Sequence, residues 1–249
     1  MNRPQLLIDL GNTRLKWAVL APDGALKAGA AIAHTEDGFG ELAPLLEAGA
    51  ECAAAWVSST ALSLSDALLL TLRQRLGLPT QLFRSPKEAH GIRSAYDHPE
   101  TLGTDRFLAM VGARTVVDGA FLVADAGTAL TVDMVDSEGQ HLGGLIVPGP
   151  VLMREALHRG TAGIRTGEVV RLREFARSTD DAVWSGGCLA CVALIEHAHR
   201  HGVLGVGEHV DLLLAGGAMP ALAPHLSLPH RTVDDLVLRG LAVWAEQQA

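Results

Sequence analysis

The sequence predicts an α/β protein of two similar lobes, each with the element order βββαβα. An apolar strand that ends in Asp leads into a Gly-containing turn twice, at Asp9 and at Asp125. Each turn lies among three strand patterns that are followed by alternating helix and strand patterns, as an internal duplication would produce. The 249 residues suffice for two lobes of roughly 100 to 150 residues each. We expect the lobes at residues 1–118 and 119–249, facing one another across a cleft.

The first lobe is expected to open with three strands, and its predicted elements follow the hydrophobic periodicity of the sequence. The strands are at residues 6–9, 15–21, 25–33, 54–58 and 80–83, and the helices at 40–48, 63–76 and 101–117. Residues 85–100 contain Pro, Gly, His and Asp, which is typical of an exposed loop.

The second lobe repeats this order. Its strands are predicted at residues 121–124, 130–135, 140–147 and 211–214, and its helices at 151–158, 178–201 and after Gly216 and Gly217. A last helix, at residues 234–248, could pack against either lobe.

Composition and charge favour small-molecule partners. The net charge of −8 gives no general attraction to nucleic acid or to an anionic membrane. No apolar run approaches the ~20 residues of a membrane span, and Met1 leads into an apolar strand without the pattern of a secretory signal. Three cysteines do not suggest a disulfide framework. We therefore expect a cytoplasmic protein that binds neither nucleic acid nor membranes.

The first turn has the chemistry of a phosphate-binding loop. Gly11 lets backbone N–H groups approach a phosphate, and the side chains of Asn12 and Thr13 add donors. Asp9 could hold Mg²⁺ and Lys16 could reach a phosphate as a point charge. An Asx-type turn in a hairpin is the alternative for one such turn alone. The second turn, at Asp125, favours nucleotide binding.

The paired turns resemble the two phosphate-binding loops of the actin and sugar kinase superfamily. Further blocks resemble the signatures of type III pantothenate kinases: Gly103-Thr104-Asp105-Arg106, residues 125–133, residues 143–149 and residues 235–241. The resemblance covers nearly the whole chain. It implies an actin-like ATPase fold of two ribonuclease H-like lobes with ATP in the cleft between them. It also implies ATP-dependent phosphorylation of pantothenate to 4'-phosphopantothenate, the first step of coenzyme A biosynthesis, by a homodimer.

The resemblance also implies roles for individual residues. The ATP positions are Asp9, Leu10, Gly11, Asn12, Thr13, Arg14, Leu15, Lys16 and Thr128. The pantothenate positions are Tyr96, Gly103, Thr104, Asp105, Arg106 and Thr179, with Asp105 as the catalytic base. Asp125 falls at the site of a monovalent cation, K⁺ or NH₄⁺, and Mg²⁺ accompanies ATP.

Simpler interpretations exist for several of these residues. Asp105 could stabilise a helix dipole with Arg106 as its ion-pair neighbour, and Tyr96 could be a lid over apolar surface. Ser178 stands where the family usually has Asn, so Thr179 could instead be a helix N-cap.

Two other patterns favour structural roles. Cys188 and Cys191 lie in an apolar helical run without partners for a zinc site. The cluster of His197, His199 and His201 is typical of a solvated helix terminus.

Two other functions remain open from the sequence. One is another small-molecule kinase of the superfamily, acting on a sugar or on acetate. The other is a regulatory accessory protein that binds nucleotide without catalysis. Retention of Asp9, Lys16 and Asp105 argues against the second.

Overall fold

The computed structural model describes residues 3–35, 38–164 and 171–248. The chain divides into two compact units, one of Met1–Val116 with Asp235–Ala249 and one of Val117–Asp234. The change between units falls close to residue 118. The C-terminal segment, however, groups with the first unit, whereas the division predicted from sequence placed it in the second lobe.

The first unit contains a mixed sheet. Its strands are β1 (Gln5–Leu10), β2 (Arg14–Leu20), β3 (Leu26–Ala28), β4 (Ile32–Thr35), β5 (Gly38–Phe39), β6 (Ala55–Ser59) and β7 (Thr80–Leu82). A separate hairpin is formed by β8 (Glu88–Ala89) and β9 (Ile92–Arg93). The helices are α1 (Ala43–Gly49), α2 (Leu62–Leu76) and α3 (Thr104–Arg114). The sheet order is β5-β4-β2-β1-β6-β7, with β3 also paired to β2.

The second unit repeats this plan. Its strands are β10 (Ala120–Ala126), β11 (Ala129–Val135), β12 (His141–Pro148), β13 (Val210–Ala215) and β14 (Arg231–Thr232), in the order β12-β11-β10-β13-β14. Its helices are α4 (Pro150–Gly160), α5 (Thr179–Val206) and α6 (Met219–Leu222). The last helix of the chain is α7 (Leu236–Gln247).

The duplication predicted from the sequence is visible in the pairing of the strands. The first strand of each unit is antiparallel to the second and parallel to a later strand, as β1 is to β2 and β6 and as β10 is to β11 and β13. Asp9 and Asp125 are each the penultimate residue of that first strand. The two acidic turns therefore occupy equivalent positions in two sheets of the same topology.

The predicted third strand, residues 25–33, is broken into β3 and β4 because Trp17 lies against the chain between them. A Cβ atom at Gly29 would be 2.0 Å from the Trp17 ring. The indole N–H of Trp17 donates to the carbonyl of Ala30, with 3.1 Å between the heavy atoms. The carbonyl of Ala30 thus bonds to this side chain.

Residues 85–100 were expected to be an exposed loop, and this expectation is wrong in part. The segment contains the β8–β9 hairpin, whose central residues His90 and Gly91 have φ values of 51° and 75°. Two residues with positive φ are typical of a tight hairpin turn. Ser85 and Ile92 are buried, and the Ser85 hydroxyl donates to the Leu102 carbonyl at 2.9 Å. The segment is therefore anchored to the unit.

Two helix boundaries also differ from the prediction. The helix expected at residues 101–117 starts only at Thr104, because Gly103 is extended with ψ of 133°, and a separate 3-10 turn covers Pro99–Thr101. The helix expected to end at residue 201 continues to Val206, where Gly207 in the left-handed conformation ends it. The His cluster consequently lies within α5 and not at its end.

The C-terminal helix belongs to the first unit because α7 packs backbone to backbone against α3. A Cβ atom at Gly240 would be 2.0 Å from the Leu108 carbonyl oxygen, and one at Gly112 would be 2.2 Å from the Leu236 carbonyl oxygen. Only glycine allows this approach, which explains why the block at residues 235–241 contains Gly240. The contact supports α3, the helix that carries Asp105.

Replacing Gly240 with Ala is expected to lower the free energy of unfolding by about 1–2 kcal/mol. The added methyl group overpacks a full interface, which costs about 1–3 kcal/mol, and the better helix propensity of Ala offsets about 1 kcal/mol at most. Thermal and urea unfolding measure the change. Gly186→Ala is the control, because a Cβ atom at Gly186 in α5 would have no neighbour within 4 Å. Equal stability of Gly240→Ala and the wild type would contradict the close packing of α3 and α7.

None of the helices in the described ranges is both long and apolar enough to span a membrane.

Candidate active site

The first acidic turn joins β1 to β2 at the carboxyl end of β1. The backbone N–H of Gly11 donates to the Arg14 carbonyl at 3.0 Å, which closes the hairpin. Asn12 and Thr13 are exposed at its tip. Asp9 is half-buried and lies opposite Lys16 in the strand register. The structure therefore gathers the predicted ATP positions 9–16 into one local hairpin, whereas Thr128 lies in the second unit between β10 and β11.

Lys16 has a neighbour to which sequence reasoning assigned no role. Its Nζ is 3.9 Å from the Oδ1 of Asp235, and both side chains are partly exposed. Asp235 precedes α7 in the left-handed conformation, with φ of 55°, and its side chain does not cap that helix. Left-handed Asp is uncommon and unfavourable. The position directs this carboxylate towards the candidate phosphate-binding lysine.

The start of α3 is tied to the strand beside β1. The Ser58 hydroxyl donates to Oγ1 of Thr104 at 3.1 Å, and Thr104 Oγ1 donates to the Ser59 carbonyl at 3.2 Å. Ser58 is also the strand neighbour of Asp9, because β6 pairs in parallel with β1. The structure thus brings the Asp9 turn and the 103–106 block to the same end of one sheet, where the neighbouring strands β1 and β6 both end. No sequence pattern singles out the two serines, since their roles depend on contacts between distant segments.

Asp105 and Arg106 lie in the first turn of α3. The Oδ1 of Asp105 accepts a hydrogen bond from the Arg106 backbone N–H at 2.8 Å, which orients the carboxylate. The Arg106 side chain is buried, and its Nη1 donates to the Tyr96 hydroxyl at 2.9 Å. Three residues predicted to be pantothenate positions are therefore neighbours in the structure. Tyr96 thus makes a polar contact within this group, and its role towards pantothenate stays a prediction.

The hairpin segment holds Tyr96 in place through its backbone. Lys87 Nζ donates to the Tyr96 carbonyl at 3.0 Å, and the Tyr96 N–H donates to Ser94 Oγ at 3.1 Å. The Ser94 N–H in turn donates to the Lys87 carbonyl at 2.8 Å. The rings of His90 and Trp244 pack edge to face with centroids 5.5 Å apart, and burial lowers the pKa of His90. Tyr96 is thus supported by an ordered segment.

The second acidic turn lies between β10 and β11 and is enclosed by two glycines. The Gly149 N–H donates to the Thr128 carbonyl at 2.9 Å. Gly216 has φ of +94°, and a Cβ atom there would be 2.4 Å from both the Asp125 Oδ1 and the Ala126 carbonyl oxygen. A side chain at residue 216 would clash with both oxygens, so the Gly216 backbone packs directly against them, and the Ala126 carbonyl also accepts from the Ala218 N–H at 2.9 Å. A carboxylate oxygen and a carbonyl oxygen therefore face the same glycine, a donor set that suits a hard cation.

Thr179 is the first residue of α5 and is exposed. The N-cap is Ser178, whose Oγ accepts from the Asp181 N–H at 3.2 Å. The alternative that Thr179 caps the helix is therefore wrong. Its contact with substrate stays a prediction.

The cysteine pair lies in the aliphatic core of the second unit. Cys188 and Cys191 are fully buried, and burial raises the pKa of each thiol to about 11. Such thiols stay protonated at neutral pH and are poor nucleophiles and poor metal ligands. Within residues 3–35, 38–164 and 171–248 there is no cluster of three or more His, Cys, Asp or Glu side chains that could hold a metal.

Two units of this topology, each with an acidic turn after its first strand, define a protein of the actin-like ATPase and sugar kinase class. The predicted fold class is confirmed. A family model described as type III pantothenate kinase matches residues 5–201. A type III pantothenate kinase of Methylibium petroleiphilum is 40% identical over 98% of both chains, and one of Xanthomonas campestris pv. campestris is 42% identical over 98% of both. The chain belongs to the type III pantothenate kinase family, which confirms the resemblance.

A solved structure from Campylobacter jejuni, described as a Baf family transcriptional activator, is similar in fold. Its TM-score is 0.60 and its sequence identity is 22%. The match covers 98% of this chain and 100% of the Campylobacter jejuni chain.

Proposed function

We propose that this chain transfers the γ-phosphoryl group of ATP to the primary hydroxyl of pantothenate and forms 4'-phosphopantothenate, the first step of coenzyme A biosynthesis. One observation carries the proposal beyond family membership. The Asp9 turn and the Asp105 helix terminus lie at the same end of one sheet, joined through Ser58 and Thr104. A phosphate-binding turn beside a candidate base is what a kinase needs to align donor and acceptor.

Asp105 is the proposed general base. Phosphoryl transfer depends mainly on alignment and charge stabilisation, so one oriented carboxylate that accepts the hydroxyl proton suffices as the acid–base element. The Arg106 N–H donates to Oδ1 of Asp105 at 2.8 Å, and this hydrogen bond orients the Asp105 carboxylate. The same contact is compatible with a helix-dipole role, and a substitution that retains the acceptor atom separates the two roles.

Arg106 and Tyr96 are proposed to bind pantothenate. The guanidinium group is buried and already oriented by the Tyr96 hydroxyl, so it can donate charge-assisted hydrogen bonds without reorganisation. Pantothenate carries a carboxylate and several neutral oxygens that accept such bonds. Thr179 is proposed as a further contact.

ATP is proposed to contact the first turn through its phosphates, with Lys16 as the cationic group, and the second turn through Thr128. The backbone and side-chain donors at the tip of the first turn are exposed. Asp9 and Asp125 add negative charge to an acidic protein, so cations are needed beside a triphosphate.

The residues present fit two such cations. Asp9 would hold Mg²⁺, directly or through water, and the ion would neutralise phosphate charge as it develops. Asp125 Oδ1 and the Ala126 carbonyl, both beside Gly216, offer oxygen ligands to K⁺ or NH₄⁺.

We further propose a cytoplasmic homodimer. Support for the dimer comes from exposed apolar side chains on the edge strand β12 and on α4, namely Leu142, Leu145, Ile146, Val151 and Leu157. Exposed apolar side chains on an edge strand and on the helix that follows it are typical of an interface.

Replacing Arg106 with Ala is expected to raise the KM for pantothenate about tenfold or more and to leave the KM for ATP unchanged. The change removes a charge-assisted donor, which is worth about 1.5–3 kcal/mol. Tyr96→Phe keeps the guanidinium group but removes the hydroxyl that orients it, so a smaller rise of the pantothenate KM is expected. Steady-state kinetics with each substrate varied in turn measure both constants.

Arg93→Ala is the matched control for Arg106→Ala. Arg93 lies on β9 in an exposed pair with Glu88, with 3.0 Å between Nε and Oε2. Exposed pairs contribute about 0–1 kcal/mol, so both KM values should stay near wild type. An unchanged pantothenate KM in both Arg106→Ala and Tyr96→Phe would remove this pair from the substrate site.

A further inference from the structure

His34, which no sequence motif singles out, lies against the first acidic turn. Strand β4 pairs with the start of β2, where Ala33 is opposite Arg14. This pairing places the His34 Nε2 at 2.7 Å from the Gly11 carbonyl oxygen. The His34 backbone N–H also donates to the Thr13 carbonyl at 3.3 Å. One residue of β4 therefore contacts the turn at two of its carbonyl groups.

The direction of the side-chain hydrogen bond follows from its acceptor. A carbonyl oxygen can only accept, so Nε2 of His34 must carry the proton. The other ring nitrogen, Nδ1, is buried and has no hydrogen-bond partner in the described part of the chain. The ring also packs edge to face against Phe39 on β5, with centroids 5.9 Å apart. The ring orientation is thus set by Gly11 on one side and Phe39 on the other.

Both contacts engage acceptor groups of the turn and use none of its donors, of which the Gly11 N–H closes the hairpin on the Arg14 carbonyl at 3.0 Å. Phosphate oxygens bind to N–H and O–H donors and are repelled by carbonyl oxygens. The hydrogen bonds from His34 hold the Gly11 and Thr13 carbonyl oxygens towards β4 and so restrain the orientation of the turn. Such restraint reduces the ordering cost of binding.

We propose that His34 is a positioning residue that holds the Gly11 and Thr13 carbonyls away from the phosphates of ATP. The proposal rests on the proposed function, since it assigns ATP to the same turn. His34 does not itself touch the nucleotide. Its side chain acts through Gly11, and Phe39 supports its orientation.

The test compares His34→Leu with His34→Gln. Leucine fills a similar volume without a donor, whereas the Gln amide nitrogen reaches about as far as Nε2 and can donate to the Gly11 carbonyl. Calorimetric binding of the non-hydrolysable analogue AMP-PNP with Mg²⁺ measures affinity without turnover. We expect His34→Leu to weaken binding about 5- to 20-fold, as one positioning hydrogen bond would, and His34→Gln to stay within about threefold of wild type.

Thr35→Val is the matched control on β4. Thr35 is exposed on the same strand, so its replacement tests whether any change in β4 disturbs binding. Wild-type affinity in His34→Leu, equal losses in the Leu and Gln variants, or an equal loss in Thr35→Val would each overturn the proposal. NMR correlations of the imidazole nitrogens test the tautomer on which the hydrogen bond to the Gly11 carbonyl depends. A proton on Nε2 in the free and AMP-PNP-bound protein is expected, and a ring protonated only at Nδ1 would overturn the assignment.

Failure of this proposal is distinct from failure of the proposed function. If the wild type binds AMP-PNP and phosphorylates pantothenate while His34→Leu does both equally well, only the role of His34 is lost. If the wild type does not bind AMP-PNP, both are overturned.

Discussion

Asp105→Asn is expected to lower turnover by about 10²-fold or more, because a positioned general base contributes 10²–10⁴ to the rate. The substitution retains the Oδ1 atom, which accepts from the Arg106 N–H at 2.8 Å in the wild type. Local structure and ATP binding should therefore be preserved. If Asp105 served only the helix dipole, the loss would be limited to about 0.3–1 kcal/mol of stability.

Initial rates with saturating pantothenate and ATP, together with thermal unfolding, separate these outcomes for Asp105. Asp180→Asn is a matched control, because Asp180 is the second residue of α5 just as Asp105 is the second residue of α3. Both variants should lose similar small amounts of stability, and only Asp105→Asn should lose turnover. Turnover near wild type in Asp105→Asn would remove this carboxylate from the mechanism.

Replacing Asp125 with Ala is expected to raise the KM for ATP about 10- to 100-fold and to abolish the response to K⁺. A lost charge-assisted contact of about 1.5–3 kcal/mol corresponds to this range. In the wild type, activity with Mg-ATP should rise steeply when K⁺ replaces Na⁺ at constant ionic strength. The physical basis is the pair of oxygens beside Gly216, one from Asp125 and one from Ala126, in an acidic protein.

The alternative is that Asp125 only caps its turn, in which case the variant would be less stable but equally dependent on K⁺. Asp136→Ala is the control for that role. Asp136 caps the β11–β12 turn by accepting from the N–H groups of Glu138 and Gln140 at 3.0 and 2.8 Å. The Asp136→Ala variant should be less stable than the wild type and should retain the response of its activity to K⁺. A K⁺ response that survives in Asp125→Ala, or is absent from the wild type, would contradict the cation site.

The sequence predicted those parts of the fold that local patterns encode. Both acidic turns follow apolar strands of regular pattern, and Asp9 and Asp125 mark the ends of those strands in the structure. The break after β3 was not predictable, because it depends on the Trp17 ring lying against Gly29. The partner of the last helix stayed open in the sequence for the same reason. The periodicity of α7 shows an apolar face but does not identify α3 as its partner.

The candidate site was likewise predictable from the sequence only in part. Motif positions such as Asp105 and Arg106 could be named from the sequence because they are adjacent in the chain. The contacts that position them could not, since Ser58 is 46 residues from Thr104 and His34 is 23 residues from Gly11. Nor does any local pattern single out these side chains. Strand register alone brings them to the site.

The most direct test of the central claim is ADP formation from Mg-ATP with pantothenate, glucose and acetate as separate acceptors, in K⁺ buffer. A family member whose Asp9 turn and Asp105 terminus share one end of a sheet should form ADP in proportion to added pantothenate, with 4'-phosphopantothenate as the product. Glucose and acetate should give no increase over the rate without acceptor. ADP formation that is independent of pantothenate, or that responds equally to glucose or acetate, would contradict the account.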